Sequence, residues 1–430
     1  MSKFDYKVLR IASPLLFSNI TIPLVGFVDN IMMGYLGSTI YIGAIGIGTI
    51  IISYLIFSFG FMKSITTGFV SQSTGSKDYE SLFKSIYQLL FITILISFLI
   101  LFFREKIIYY ALSLIDGSSD VLTNSRIYLE IRIWSIPAIF IRDILIGYYI
   151  GTQKTLFAMI ISMSINIINV FLDIFFIYYL NYSIEGAAYA SIIAEYSVLI
   201  FVIYAVMTEK HFKRISISKL LDTTSLNTKI RVNLDMFIRS VILMTCFAYF
   251  MLESASYGDS ILAANTILLN FFFIFSHGID GFAHASEVLV GDAVGQKNRN
   301  LLVSSIYTTG KFSIILTCIF IAIFILFGDN ILRLITDHTL LSQTVNEYMI
   351  WLFGIFLLAT VAFWLDGVFI GLLETTLLRN IMIASGSLFF IFQIFIEGAN
   401  NHYLWLCFLI FFSFRSIFLG YSLVGKLKNF

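Results

Sequence analysis

The sequence predicts an all-α polytopic membrane protein, with twelve transmembrane helices arranged as two parallel-repeat bundles of six. Three observations lead there. Hydrophobic residues make up 59% of the chain and charged residues only 12%, about half the charged fraction of ordinary soluble domains. Polar breaks separate twelve apolar runs, each long enough for the ~20 residues that a bilayer crossing requires. Residues spaced 220 positions apart also match over about eighty residues of each half, from Gly75 to Thr155 in the first.

The runs fall at 11–35, 41–69, 82–103, 123–150, 155–180, 185–208, 231–257, 260–289, 303–327, 343–372, 378–398 and 401–424. The first follows a short polar stretch, Met1 to Arg10, and leads into further spans without a small-residue cleavage site. It therefore reads as a retained helix and not as a removable signal peptide. Pro14 and Pro23 lie within it and Pro137 lies in the fourth, out of 3 prolines in all. Each proline removes an intrahelical hydrogen bond, so the first helix is the one expected to bend. The one long polar connection, Thr208 to Arg231, divides an N-terminal six-helix lobe (1–208) and a cytoplasmic linker (209–230) from a C-terminal lobe (231–430).

Orientation follows from Lys and Arg, which concentrate in cytoplasmic loops. Seventeen fall on one side of the spans and four, Arg104, Lys106, Arg126 and Arg333, on the other, which places both termini in the cytoplasm. The net charge of +1 carries no signal for nucleic acid. Cys246, Cys318 and Cys407 lie far apart in apolar runs, without CxxC spacing or a histidine pair, and read as small buried residues.

An offset of 220 pairs Gly75 with Gly295, Lys77 with Lys297, and Ser85-Ile86-Tyr87 with Ser305-Ile306-Tyr307. It also pairs Tyr128 with Tyr348, Gly147 with Gly367, Ile150-Gly151 with Ile370-Gly371, and Thr155 with Thr375. An even number of spans per half makes the repeat parallel, related by an axis along the membrane normal. Two such bundles suit alternating access, so a transporter is expected.

Ionisable residues inside a bilayer cost at least about 2.5–3.5 kcal/mol and invite a functional or a pairing explanation. Asp29 lies late in the first span, after both prolines. Asn166, Asn169 and Asp173 recur at i, i+3 and i+7 and so stack on one stripe of the fifth helix. Asp29 and Asp173, brought together in low dielectric, would share a proton or bind Na⁺ through oxygen ligands. The eighth helix carries His277, Asp280, His284 and Glu287, with spacings that let His284 satisfy Asp280 and Glu287. The two histidines lack a further ligand at suitable spacing, so no metal is expected. Asp366 stands in the tenth helix. Lys63, Arg142, Asp143, Glu195, Arg239 and Arg415 read as paired bundle contacts or cavity-wall charges.

On these residues the chain resembles the multidrug and toxic compound extrusion (MATE) family, in particular its DinF-type branch. The resemblance is carried by Pro14 through Asp29, Gly34-Tyr35-Leu36-Gly37, Ser64-Ile65-Thr66-Thr67-Gly68 and Leu129-Glu130-Ile131-Arg132. It continues in Asn166 through Asp173, Glu185-Gly186-Ala187-Ala188, Asp280-Gly281-Phe282-Ala283 and Leu365 through Gly371, and so covers nearly the whole chain. It implies two lobes in a V, and antiport of organic, often cationic and amphipathic, compounds against H⁺ or Na⁺, with no other cofactor. It further implies a coupling site of Asp29, Asn169 and Asp173, joined by Tyr128 and Ser191, with Pro14 as the bending proline. Asp280 and Asp366 are the candidates in the second lobe. The family's other main branch places a glutamate in mid-helix seven for Na⁺, where this chain has Arg239.

The expected partners are small organic substrates and membrane lipids, with the protein a monomer of the bacterial inner membrane. A lipid-linked precursor flippase of the same superfamily is the alternative; it would call for a strongly basic cavity and often extra helices. An intramembrane enzyme is remote, because no GxSxG, HExxH or paired catalytic histidine pattern occurs.

Overall fold

A computed structural model describes the backbone of residues 2–34, 39–335, 339–395 and 400–429, and their side chains except those of 20–34, 39, 395 and 429. Sixteen α-helices appear among the described residues. They are α1 (Lys3–Gly34), α2 (Thr39–Phe59), α3 (Phe61–Gly75), α4 (Tyr79–Phe102), α5 (Arg104–Ser113), α6 (Ser119–Arg132), α7 (Ile136–Gly151) and α8 (Thr155–Asp173). The chain continues with α9 (Ile184–Met207), α10 (Ile217–Leu220), α11 (Thr223–Ser256), α12 (Asp259–Gly295), α13 (Arg299–Ile335), α14 (Thr339–Gly371), α15 (Thr375–Phe395) and α16 (Asn401–Asn429).

The all-helical outcome follows from the solvent: hydrocarbon offers no partner to a backbone N–H or C=O, so each span must satisfy its own. Eleven spans among the described residues are long and apolar enough to cross a membrane, and α1 is a further long helix of 32 residues. Two of the expected spans are internally broken. The second is interrupted at Gly60, between α2 and α3. The fourth contains a 3₁₀ turn at Ile133–Ser135, just before Pro137 at the start of α7, where a missing N–H costs nothing. The eighth runs on to Gly295 at one end, well past the expected 289.

The 220-residue repeat is written into the backbone. Lys77 and Lys297 adopt φ values of 58° and 54°, and Gln153 and Leu373 values of 61° and 59°, the left-handed region that ends helices. In each case the next residue's N–H reaches back to the carbonyl five residues earlier. These bonds are Asp78 to Ser73 and Asn298 to Ala293, both 3.0 Å, Lys154 to Tyr149 at 2.8 Å and Glu374 to Phe369 at 2.9 Å. The following helices are capped alike, by Asp78 Oδ1 accepting from the Ser81 N–H at 2.9 Å and Asn298 Oδ1 from the Leu301 N–H at 3.0 Å.

The described chain divides into two compact units, one holding Ile20 to Asn233 and the other the residues up to Asn19 together with those from Leu234 onward. Each is built on one close helix crossing. In the first unit, α7 lies against α3 with Gly147 on the Lys63 carbonyl and Gly151 on the Thr67 carbonyl, so that an added Cβ would sit 2.5 and 2.9 Å from them. In the second, Gly367 and Gly371 of α14 lie on the Ala283 and Glu287 carbonyls of α12, the positions offset by 220. Small residues four apart let backbones approach where lipid provides no hydrophobic drive between helices, and dispersion and close packing hold them together.

The second unit also carries a dense aromatic core: Phe250, Phe272, Phe356, Phe389, Trp405 and Phe408 are all fully buried. The first nineteen residues dock on this unit. Lys311 Nζ donates to Asp5 Oδ1 at 2.9 Å, Lys7 lies 3.7 Å from Asp292, and Asn19 Nδ2 donates to the His277 carbonyl at 3.1 Å. Leu16 packs onto Gly281, where an added Cβ would approach it to 2.7 Å. In the first unit the connection after α9 is held along α4. Lys84 Nζ donates to Asp222 Oδ2 at 2.5 Å, Gln88 Nε2 donates to the Leu220 carbonyl at 3.1 Å, and Lys219 pairs with Glu80.

Cys246 and Cys407 are buried as expected, but Cys318 is exposed on α13. An apolar run carries no signal for whether a small residue turns inward or toward lipid, and this one turns out.

Candidate functional site

In the first unit, the polar stripe of α8 lies on its inward face. Asn169 and Asp173, one turn apart, are 5% and 1% exposed, and Asn166 is half-buried. Asn169 Nδ2 donates to Ser191 Oγ of α9 at 3.3 Å, so two of the residues singled out in the sequence meet directly. Asp173 closes the α-helical part of α8, and Ile174–Tyr179 continue it as a π-helix. Such wide turns displace the backbone ladder and recur at functional sites.

Tyr128 of α6 is buried, its ring lying over Gly48 of α2 so closely that any Cβ there would overlap it. Ser125, one turn earlier, donates to the Ala44 carbonyl at 3.1 Å and holds the same crossing. Asp29 lies on helix α1, but its side chain falls outside the described residues. Pro14 is half-buried within the stretch of α1 that docks on the second unit, five residues before the division between the units.

The first unit holds a second buried ionic group. Arg142 of α7 donates from Nη2 to Asp143 at 2.8 Å and from Nη1 to Glu195 of α9 at 2.6 Å, which ties α7 to α9. Both carboxylates are less than a tenth exposed.

The second unit is arranged differently. Asp366 of α14, 5% exposed, accepts at one oxygen, Oδ2, from both Arg239 of α11 and Arg415 of α16, the latter at 2.6 Å. Arg415 is 1% exposed, its guanidinium between 5.5 and 5.6 Å from the ring centres of Phe363, Phe411 and Phe412. Ring faces carry the negative lobe of the aromatic quadrupole and so help solvate a cation held away from water.

Asp280 is more exposed, at 42% of its side chain, and lies 3.9 Å from His277 Nδ1. The spacing offered His284 both Asp280 and Glu287; it meets Glu287, at 2.9 Å, as expected, but not Asp280. The i+3 spacing places each carboxylate over its own histidine, and no bond between Asp280 and His284 is found among the described residues. No cluster of three or more metal-binding side chains occurs among the described residues either.

One group escaped the sequence reading altogether. Asp235 of α11 is 1% exposed and accepts from Arg379, from Thr376 at 2.7 Å and from Thr375 at 3.2 Å on α15. Its signal was available, an aspartate four residues before Arg239 in the same apolar span.

Two helical bundles with matched crossings, and with buried ionisable groups directed into each, define a class of membrane transporter. The MatE family model matches residues 14–175 and 236–396, one match in each half, and the chain belongs to that family. It is 31% identical to DNA damage-inducible protein F of Escherichia coli over 424 residues, which covers 98% of this chain and 92% of that one. It is also 22% identical to the multidrug resistance protein NorM of Vibrio cholerae, over 80% of this chain and 76% of that one. A solved outward-facing multidrug resistance MATE family transporter superposes with a TM-score of 0.87 at 17% identity, covering 99% of this chain and 97% of the other, which shows the shared fold. The protein is thus a transporter and not an enzyme.

Proposed function

We propose that the protein is a secondary antiporter that exports organic, amphipathic compounds by alternating access, driven by inward movement of H⁺ or Na⁺. It acts as a monomer in the bacterial inner membrane with both termini in the cytoplasm, the arrangement favoured by the Lys and Arg distribution. Its coupling site is Asp29 with Asp173 and Asn169, supported by Ser191 and Tyr128.

The observation that carries this reading is the buried polar stripe of α8 against α9. Asp366 of the second half, by contrast, has its charge met by two guanidinium groups on one oxygen. In the first half, Asp173 lies buried one turn from Asn169, which itself reaches Ser191 of α9. A carboxylate in low dielectric takes up a proton or a metal cation readily, because its ionised form is otherwise costly. The relatives named for multidrug resistance support organic compounds as the cargo.

The test is drug exchange in proteoliposomes under imposed ΔpH or ΔNa⁺. Asp29→Asn and Asp173→Asn each remove the exchangeable charge and keep the shape, so each is expected to abolish coupled export by well-folded protein. Wild-type exchange by both variants would remove the assignment.

A further inference from the structure

The second unit carries an unbalanced charge that the coupling reading leaves unused. Arg239, Asp366 and Arg415 come from three different helices, α11, α14 and α16, and together amount to two cations on one carboxylate oxygen. The nearest carboxylate on α11, Asp235, is already taken by Arg379, Thr375 and Thr376. The two arginines differ in their surroundings. Arg415 is enclosed by three phenylalanine rings and is 1% exposed. Arg239 has no such ring cage among the described residues, and 12% of its side chain remains accessible. Arg239 Nε and Arg415 Nη1 are buried donors without a hydrogen-bond partner among the described residues. A guanidinium offers five donors in a planar fork, and here Asp366 uses only part of that capacity.

We propose that this cluster is an oxyanion subsite that takes the carboxylate, sulfonate or phosphate of an amphipathic molecule, with Arg239 as the residue that meets it. The anion makes the cluster electroneutral, fills the free edge of the Arg239 fork, and rests its apolar part against Phe363, the partly exposed ring of the cage. Both an exported organic acid and a lipid headgroup present this chemistry. As a statement about cargo, the assignment deepens the export reading above and rests on it, but the binding itself needs no ion gradient.

The full-length protein in nanodiscs of phosphatidylcholine is titrated with 8-anilinonaphthalene-1-sulfonate, with empty discs subtracted, and separately with tetraphenylphosphonium. Arg239→Gln leaves Asp366 paired one to one with Arg415, so this variant is expected to fold. It should lose tenfold or more in sulfonate affinity without loss of tetraphenylphosphonium affinity. Arg239→Lys, which restores the charge but not the fork, should recover part of the loss. In discs containing phosphatidylglycerol, sulfonate binding that weakens for the wild type and not for Arg239→Gln identifies a lipid headgroup as the competing occupant. Sulfonate binding unaffected by headgroup in both proteins assigns the subsite to the organic anion. Either result upholds the subsite. Sulfonate affinity unchanged in a folded Arg239→Gln protein, or equal loss for both probes, overturns it. Absence of drug–ion exchange by the wild-type protein with sulfonate binding intact would count against the coupling reading alone.

Discussion

Replacing Asp366 with Asn removes the one anion that holds two guanidinium groups, the buried Arg415 and the partly accessible Arg239. Asp366 is 5% exposed and Arg415 1% exposed, so Arg415, left behind, cannot recover its hydration without moving helices. Breaking a buried ion pair by deleting one partner costs about 3–5 kcal/mol, and here the deletion also leaves two like charges facing one site. A shift of about 2–4 °C per kcal/mol holds for units of 150–250 residues, so the melting midpoint of the second unit should fall by roughly 6–20 °C. Thermal unfolding of the purified protein, followed by size-exclusion chromatography after heating, measures this. Arg239→Gln should cost far less, since a neutral Asp366–Arg415 pair remains, and the Asp366→Asn, Arg239→Gln double variant should recover part of the loss because one stranded charge is gone. A midpoint for Asp366→Asn within about 1 °C of wild type would refute the reasoning.

Gly367→Ala drives a methyl group into the Ala283 backbone and Gly147→Ala into the Lys63 carbonyl, so each should destabilise by about 1–3 kcal/mol as an overpacked contact. Gly420→Ala, with nothing near its added Cβ, should be neutral or stabilising in the same melts. Asp222 is held below the ordinary carboxylate value chiefly by its hydrogen bond from Lys84; the stabilisation is therefore present above the unfolded value and is lost as pH falls through the lower folded one. Limited proteolysis of the 209–222 connection should stay constant from pH 8 to 5, should rise below about pH 4, and should already be raised at neutral pH in Asp222→Asn. Pro14→Ala restores a helical donor in the docked stretch of α1, and proteoliposome efflux should fall while yield and melting midpoint hold; undiminished efflux would remove bending at this residue from the mechanism.

The membrane class, the helix spans and the repeat were legible in the sequence, because each rests on a local or a periodic rule. Hydrocarbon forces every span to bond its own backbone, so the length of an apolar run predicts a helix whatever it packs against. The offset of 220 pointed to Gly147, Gly151, Gly367 and Gly371, and the same offset reappears in the carbonyls they rest on. Helical spacing likewise placed Asn169 and Asp173 on one face. Periodicity says which residues share a face; it does not say which helix that face meets. Hence Arg239, Asp366 and Arg415 appeared as separate charges, and only tertiary packing brings residues 127 and 49 positions apart onto one oxygen. The docking of the first nineteen residues on the second half was likewise invisible, since the contacts that secure it, such as Lys311 with Asp5, join residues 306 positions apart. Where local spacing allowed two partners, as for His284 between Asp280 and Glu287, side-chain geometry chose, and only the folded helix shows which choice was made.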